Sequence, residues 1–326
     1  MAMELQEGFI VAASCIGFIT VCKAFISFVR WVWVMFLRSP KNLKDYGSWA
    51  IVTGSAQGIG KVLALELASK GLNLVLIYKN HSALEATSNE IHEEFGGRVE
   101  IKNMVIDLAK LSGEKIANAI EEGIRGLDVG VLINNAGIGY PYARFFHEVD
   151  LELMENIIKV NLGAVTWVTR VVLPGMLKKK KGAILNISSN STQLPSFPLY
   201  TLYSTTKREY ISMFSRCISL EYKQQGIDIQ CQIPFFVATS LTKHLRGLSW
   251  FMASPEKFSK ASVRWIGYEP VCNPYWWHSV QWFILRVASP DVLLNAIIYW
   301  ICIRVRKRGQ MKEAQSKKMH QQENAL

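Results

Sequence analysis

Short runs of apolar and β-branched residues recur along the middle of the chain, and helix-length segments separate them. Near-continuous apolar runs of this kind are typical of strands in a parallel sheet that helices cover on both faces. We predict six strands, at residues 49–53, 74–78, 99–106, 129–134, 182–187 and 227–233. The pattern therefore predicts an α/β fold with a doubly wound parallel sheet, in a domain that extends over residues 46–240.

The N-terminal segment is apolar without alternation. Residues 8–22 form an uncharged run of fifteen residues, which is shorter than the roughly 20 that a spanning helix needs. Beyond Lys23 the apolar character resumes as far as Leu37, with Arg30 as an interruption. Basic residues follow the run, which places the N-terminus in the lumen and the next domain in the cytosol. We interpret residues 1–45 as a membrane anchor and linker; an amphipathic helix on the membrane or packed on the domain is the alternative.

The C-terminal part of the chain is rich in tryptophan and ends in basic residues. Six of the ten tryptophans follow Val237, and an apolar run of twelve residues occupies positions 292–303. Such a run is too short to cross a bilayer, whereas aromatic residues beside basic ones are typical of a membrane surface. We predict a substrate- and membrane-associated helical extension at residues 241–303 and a basic tail at residues 304–326; a helical subdomain that packs on the core is the alternative.

The net charge of +11 is concentrated in two places. The segment from Arg304 to Lys318 contains seven basic residues and one acidic residue, and four consecutive lysines occupy positions 178–181. The rest of the chain is close to neutral, without a basic face interleaved with aromatic residues, so we do not expect nucleic acid as a partner. The six cysteines and six histidines lack the spacing of a metal site or a disulfide framework. We therefore expect no metal and reduced thiols.

A glycine-rich segment joins the first predicted strand to a helix that begins near Gly58. Glycines permit a tight turn and let the backbone approach a pyrophosphate, whose charge is met by the N–H groups of the helix N-terminus. The residues predicted to bind a dinucleotide here are Gly54, Ser55, Gln57, Gly58, Ile59 and Gly60.

The end of the second predicted strand indicates which dinucleotide is bound. A site selective for NAD places an acidic residue about 20 residues after the glycine turn, where it binds the ribose 2′-hydroxyl. The chain has Tyr78, Lys79 and Asn80 at this position, without an acid. Because a cation can bind a 2′-phosphate, we predict NADPH/NADP+ as the cofactor and Lys79 as a ligand; a solvated loop lysine is the alternative.

Tyr203 and Lys207 lie four positions apart, so a helix would place them on the same face. An ordinary tyrosine has a pKa of about 10, which is poorly matched to proton transfer near neutral pH. A neighbouring ammonium group and an oxidised nicotinamide would favour the phenolate, so we expect the pKa of Tyr203 to be lowered.

Together with the glycine turn, this pair resembles the short-chain dehydrogenase/reductase family, whose fold is the Rossmann fold, and the resemblance covers most of the chain. Asn161 is similar to the asparagine that holds a proton-relay water, and Ser189 to the serine that binds the substrate beside Tyr203. The resemblance implies Tyr203, Lys207, Ser189 and Asn161 as catalytic residues. It also implies cofactor contacts from Asp107, Asn134, Ala136, Gly137, Tyr203, Lys207, Val237 and Thr239.

The position of the serine departs from the family pattern. The family commonly has it thirteen residues before the tyrosine, where this chain has Asn190, whereas Ser189 lies fourteen residues before Tyr203. We predict that Ser189 binds the substrate and that Ser188 packs as a strand-end hydroxyl. Ser191 lies nearby, and Asn190 could donate the same hydrogen bond.

Both ends of the chain resemble the membrane-bound very-long-chain 3-oxoacyl-CoA reductases, whose relatives include the 17β-hydroxysteroid dehydrogenases. The resemblance lies in the apolar leader, in residues 46–54, 230–239 and 253–256, and in residues 267–276, which are similar to the plant members. Asn190 departs from it, because these reductases usually have a glycine beside the serine. This departure leaves the shape of the substrate pocket and the level of activity open.

The resemblance implies NADPH-dependent reduction of a very-long-chain 3-oxoacyl-CoA to the 3-hydroxyacyl-CoA in fatty-acid elongation. The enzyme would lie in the endoplasmic-reticulum membrane, with a cytosolic catalytic domain and other elongation enzymes as partners. A steroid or another lipid ketone is a second substrate class, because both need an apolar cleft and a carbonyl anchor. A third hypothesis, motivated by Asn190, is a weakly active paralogue that serves as a structural partner in an elongation complex.

Overall fold

The computed structural model describes residues 2–190, 194–239, 252–288 and 290–323. The chain forms two compact units, Met1–Pro40 and Lys41–Leu326. The first unit is one helix, α1 (Ala2–Val32), which continues through a wider π-helical turn at Trp33–Leu37. Lys23 and Arg30 do not interrupt it.

The segment Met3–Leu37 is apolar and long enough to cross a membrane, with a mean hydropathy of 2.2 in its most apolar window. The consecutive residues Phe9, Ile10 and Val11 are all exposed. Apolar side chains therefore surround the helix instead of forming one stripe, which is the pattern of a spanning helix and not of an amphipathic surface helix. The segment Leu151–Lys179 is also long and apolar enough, but half of its apolar window is buried within the second unit.

The second unit contains a parallel sheet. Each of the six predicted strands is present in it, and each strand end lies within two residues of the predicted position. Its order is β3-β2-β1-β4-β5-β6-β7, and every pairing is parallel. The strands are β1 (Trp49–Thr53), β2 (Asn73–Tyr78), β3 (Ile101–Val105), β4 (Val129–Asn134), β5 (Gly182–Ile187), β6 (Ile227–Gln232) and the unpredicted β7 (Val271–Cys272). The strand order reverses between β1 and β4, which opens a ligand crevice at their carboxyl ends.

Helices cover both faces of the sheet. They are α2 (Gly58–Ser69), α3 (His81–Phe95), α4 (Gly113–Gly123), α5 (Leu151–Ile158), α6 (Val165–Lys179), α7 (Thr201–Thr205), α8 (Ser212–Tyr222), α9 (Pro255–Arg264), α10 (Trp276–Ala288) and α11 (Asp291–Glu323). Because successive strand side chains point to opposite faces, Ala50 and Val52 enter one apolar core and Ile51 enters the other. The doubly wound fold predicted from the strand pattern is confirmed.

A chain of buried amides and hydroxyls connects the central strands to two helices. The Asn134 Nδ2 group on β4 donates to Asn186 Oδ1 on β5 at 2.8 Å and to Thr169 Oγ1 on α6 at 3.0 Å. The Asn186 Nδ2 group donates in turn to Ser215 Oγ on α8 at 2.9 Å. These side chains are at most 3% exposed, so the hydrogen bonds offset the cost of burying polar groups.

The described part of the predicted extension at residues 241–303 contains α9, α10, the start of α11 and the short strand β7, and its residues 241–251 lie outside the described residues. α11 runs unbroken for 33 residues, through the apolar run and through most of the basic tail. Its apolar half packs against the rest of the second unit through Leu294, Ile298 and Cys302, which contact a cluster that includes Leu194 and Leu199. The domain therefore holds one face of this half of α11.

Candidate active site

The glycine turn lies between the carboxyl end of β1 and the start of α2. Gly54 and Gly58 have φ angles of +67° and +56°, a region that favours glycine. A Cβ atom on Gly60 would lie 2.1 Å from the carbonyl oxygen of Gly54, so only glycine permits this close packing of helix against strand. Ser55 is buried and Gln57 occupies the N-cap position of α2. The turn and the N–H groups of α2 form a cradle that fits a pyrophosphate.

The residues that we expect to contact the adenosine part of the dinucleotide follow β2 and β3. Lys79 is exposed immediately after β2, and Asn80 caps α3 by accepting a hydrogen bond from the Ala83 N–H at 2.9 Å. Asp107 follows β3 and accepts a hydrogen bond from the Ala109 N–H at 3.0 Å. Lys79 therefore lies just beyond the carboxyl end of β2.

The segment after β4 is held against the glycine turn by side chains that the sequence reasoning missed. The N–H groups of Asn135 and Ala136 both donate to Thr53 Oγ1 at 3.0 Å. The Asn135 Nδ2 group donates to the Thr53 carbonyl at 3.1 Å. The side chain of Asn134 points into the domain interior, so the segment faces the crevice with its backbone. A Cβ on Gly137 would approach Lys207 Nζ at 3.0 Å.

Tyr203 and Lys207 meet at the carboxyl end of β5. Tyr203 lies on α7, and Lys207 lies in a π-helical turn at Thr206–Ile211 that joins α7 to α8. Lys207 Nζ donates to the Ile187 carbonyl at 3.0 Å, and the Tyr203 hydroxyl is hydrogen-bonded to Ser189. A phenol, an ammonium group and a serine hydroxyl are thus brought together at one edge of the sheet.

The protonation behaviour of this pair is controlled by burial. Burial raises the pKa of Tyr203, and the contact with Ser189 acts in the opposite direction. Burial also lowers the pKa of Lys207 to about 8. The lowered pKa that we expect for Tyr203 is not found. The cost of burying the charged phenolate exceeds the favourable effect of the contact with Ser189.

Asn161 is completely buried within a π-helical turn between α5 and α6. Its Oδ1 accepts from the Ile138 N–H at 2.8 Å, while its Nδ2 donates to the Ile138 carbonyl at 3.0 Å and to Thr206 Oγ1 at 3.1 Å. π-Helical turns are rare in proteins, and those that occur are often found at functional sites. Asn161 therefore connects the segment after β4 to the turn that contains Lys207.

The neighbouring serines have different partners. Ser188 Oγ donates to the backbone carbonyl of Lys207. This hydroxyl is therefore used in packing at the strand end. Ser189 faces Tyr203, and its Oγ donates to Asn190 Oδ1 at 3.3 Å. Asn190 is 6% exposed. Ser191 lies outside the described residues.

The segment after β6 faces the glycine turn. A Cβ on Gly58 would lie 3.5 Å from Thr239 Cγ2, so Thr239 borders the pyrophosphate cradle. Val237 is buried beside Ile59. His278 on α10, which the sequence reasoning missed, accepts a hydrogen bond from the Phe235 N–H at 3.3 Å through its Nδ1. Burial lowers the pKa of His278 to about 4, so the ring is neutral at neutral pH.

The doubly wound sheet, the glycine cradle and the adjacent phenol and ammonium groups define a dehydrogenase that uses a nicotinamide dinucleotide. The model of the family described as short chain dehydrogenase matches residues 48–247, and the chain belongs to that family. By this membership the protein is an oxidoreductase.

Several relatives are similar over most of their length. A very-long-chain 3-oxoacyl-CoA reductase-like protein of Arabidopsis thaliana is 44% identical over 94% of this chain and 97% of the relative. The inactive hydroxysteroid dehydrogenase-like protein 1 of Homo sapiens is 40% identical over 84% of this chain and 82% of the relative. The very-long-chain 3-oxoacyl-CoA reductase of Homo sapiens is 41% identical over 77% and 79%.

A solved structure with the same fold contains a cofactor. The short-chain dehydrogenase from Sphingobium yanoikuyae in complex with NADPH has a TM-score of 0.61 and 26% identity, and the match covers 74% of this chain and 92% of that chain. This likeness agrees with a nicotinamide dinucleotide as the cofactor class.

Proposed function

We propose that the protein reduces very-long-chain 3-oxoacyl-CoA to 3-hydroxyacyl-CoA with NADPH, as a step of fatty-acid elongation at the endoplasmic-reticulum membrane. The observation that carries the proposal is the convergence of Ser189, Tyr203 and Lys207 beside a dinucleotide cradle. The names of two relatives at 44% and 41% identity support the substrate class. An apolar N-terminal helix suits an enzyme whose acyl substrate partitions into lipid.

In this proposal the ketone oxygen of the substrate accepts hydrogen bonds from Ser189 and Tyr203. A bound NADPH supplies the hydride to the carbonyl carbon. Tyr203 gives its proton to the oxygen as negative charge develops there, which is general acid catalysis. Lys207 binds the ribose of the cofactor and stabilises the phenolate that remains. Asn161 orders the water from which Tyr203 recovers its proton.

The preference for NADPH is supported by Lys79, which follows β2 without an acid at the neighbouring positions. Lys79→Asp would replace the ligand of a 2′-phosphate with an acceptor for a ribose hydroxyl. We expect the ratio of kcat/KM for NADPH over NADH to fall at least tenfold. An unchanged ratio would contradict this part of the proposal.

The reaction is tested with the purified full chain in detergent, by following NADPH oxidation with 3-oxoacyl-CoA substrates of increasing length. We expect Tyr203→Phe to lower kcat by about 10²–10⁴ while NADPH binding is retained. Tyr210→Phe is the matched control, because this neighbouring hydroxyl bonds to Thr166 and not to the site. Wild-type protein that oxidises no NADPH with any acyl-CoA, or that turns over a steroid ketone with a higher kcat/KM, would refute the proposed activity.

A weakly active paralogue that acts as a structural partner of an elongation complex is the second candidate function. Two observations favour it: the Ser189 hydroxyl donates to Asn190, and one relative at 40% identity is named inactive. A hydroxyl has one proton, so this bond competes with the bond to a substrate ketone. NADPH binding without turnover, together with an Asn190→Gly variant that turns over, would favour this candidate.

A further inference from the structure

An exposed apolar surface lies on α10 and on the first half of α11. We name the exposed large apolar side chains between Phe283 and Ile301 the apolar strip. Three of its members are 66%, 70% and 82% exposed, namely Phe283, Val287 and Val292. The other members are Ile284, Leu293, Ile297, Tyr299, Trp300 and Ile301. Clusters of this size are uncommon on a surface that contacts only water and mark an interaction site.

The opposite face of α11 is held by the catalytic unit. Leu294, Ile298 and Cys302 recur every four residues, and each is at most 6% exposed. They contact a cluster that includes Leu194 and Leu199, in the loop that leads to α7 and Tyr203. A helix attached along one face to a folded domain lies beside that domain, so its apolar strip forms the outer surface of the protein next to the active site.

Basic residues follow the apolar strip on the same helix. The Arg304 guanidinium lies 3.4 Å from the centroid of the Trp300 ring. Arg304, Lys307, Arg308 and Lys312 are exposed. Tryptophan at the boundary between an apolar strip and a basic segment is typical of an element at the interface of an anionic bilayer, where basic residues contact lipid headgroups.

The basic half of α11 is also fixed to the catalytic unit. Arg306 forms an ion pair with both carboxylate oxygens of Glu148, and Glu313 accepts a hydrogen bond from the Tyr142 hydroxyl. Both partners precede α5, in the segment that follows β4. The helix therefore keeps one orientation, with the apolar strip and the exposed basic residues facing away from these contacts.

We propose that the apolar strip inserts into the surface of an anionic lipid bilayer while the basic half of α11 contacts its headgroups. This contact is separate from the N-terminal helix and does not depend on the proposed reaction. Charge complementarity argues for this occupant, because the exposed basic residues continue directly from the apolar strip, as an element that contacts both acyl chains and anionic headgroups requires. The loop before Tyr203 then lies next to lipid, where an acyl substrate is concentrated.

The test removes the N-terminal helix from folded protein. A protease site is inserted after Ser39 in the full chain, the protein is reconstituted into vesicles, and the helix is cleaved. Flotation compares two kinds of vesicle. One contains phosphatidylcholine with about 30% phosphatidylserine, which gives an anionic surface, and the other contains phosphatidylcholine alone. We expect the cleaved catalytic unit to float with the anionic vesicles and severalfold less with the neutral ones.

Substitutions in the apolar strip should release the cleaved unit. We expect Val287→Asp with Val292→Asp to lower the bound fraction about tenfold, because a charge at the interface opposes insertion. Leu220→Asp on α8 is the matched control, since Leu220 is 77% exposed outside the apolar strip; it should leave binding unchanged. Lys307→Glu with Lys312→Glu, which leaves the apolar strip intact, should abolish the preference for anionic vesicles.

Complete release of the wild-type unit on cleavage would overturn the proposal. Equal binding to both kinds of vesicle, or equal loss with Leu220→Asp, would overturn it as well. A released unit that sediments as a dimer, and that the double aspartate variant converts to a monomer, would assign the apolar strip to a second copy of the chain instead.

Discussion

Lys207 combines a catalytic position with a cost in stability that can be measured. Its side chain is 4% exposed, and burial lowers its pKa from 10.5 to about 8. Unfolded chains therefore bind a proton that the folded protein does not bind between about pH 8 and 10.5, and the contribution of Lys207 to stability rises with pH across this window. Below pH 8 both states are protonated, and the full cost of the buried charge is present.

The cost can be estimated from the difference between the two pKa values. A gap of about 2.5 corresponds to about 3 kcal/mol against folding at pH 7. Lys207→Met keeps a long side chain and removes the charge, but it also removes the hydrogen bond to the Ile187 carbonyl, which stabilises by about 1 kcal/mol. We expect the variant to be about 2 kcal/mol more stable than the wild type at pH 7, and inactive.

The assay is thermal unfolding of the cofactor-free protein in detergent, followed by circular dichroism between pH 7 and 10.5. A gain of about 2 kcal/mol raises the melting temperature by about 4 °C in a domain of this size, and the gain should shrink as the pH rises above 8. Lys102→Met, at an exposed position, is the control and should show no such trend. A Lys207→Met variant that is less stable at pH 7, or a gain that does not vary with pH, would refute the reasoning.

Three further predictions concern single positions. Gly60→Ala should lower affinity for NADPH at least tenfold in a fluorescence titration, because its Cβ would lie 2.1 Å from a backbone oxygen; Gly175→Ala, with open space around its Cβ, should retain full affinity. The pKa of His278 falls from 6.5 to about 4 on burial, so stability is lost as the pH falls from 6.5 through 4, by about 3 kcal/mol; His278→Asn keeps an acceptor and should flatten this dependence in denaturant titrations. Ser189→Ala should lower kcat by about 10²–10³ with unchanged NADPH binding, and full activity would exclude Ser189 from the reaction.

Central strands could be predicted from the sequence because burial on both faces leaves a simple signal. The predicted bounds of β1, β4 and β5 agree with the structure. β3 begins two residues later than predicted, because it lies at the edge of the sheet and its pairing with β2 begins only at Ile101. β7 was missed, since its two residues pair with β6 through long-range packing that no local pattern indicates.

The candidate site was predictable to the extent that local spacing determines it. Tyr203 and Lys207 are four residues apart, and their common helix face follows from that spacing. The π-helical turns at Asn161 and Lys207 have no sequence signal, because they depend on packing against the segment after β4. The contact from His278 arises between residues 43 positions apart, and the upward direction of the Tyr203 pKa arises from burial that only the assembled fold produces.

The paired amides of Asn134 and Asn186 determine which alignment of β4 and β5 the folded chain accepts. A slip of one residue would turn the two amides to opposite faces of the sheet and leave buried donors without acceptors, at a cost of about 1–3 kcal/mol for each group. A slip of β5 would also displace Ser189, which lies two residues beyond the end of β5, by about 3.3 Å along the strand direction and away from Tyr203. Correct strand alignment and an intact reaction centre are thus enforced by the same pair of side chains, so a misaligned molecule would be both less stable and inert.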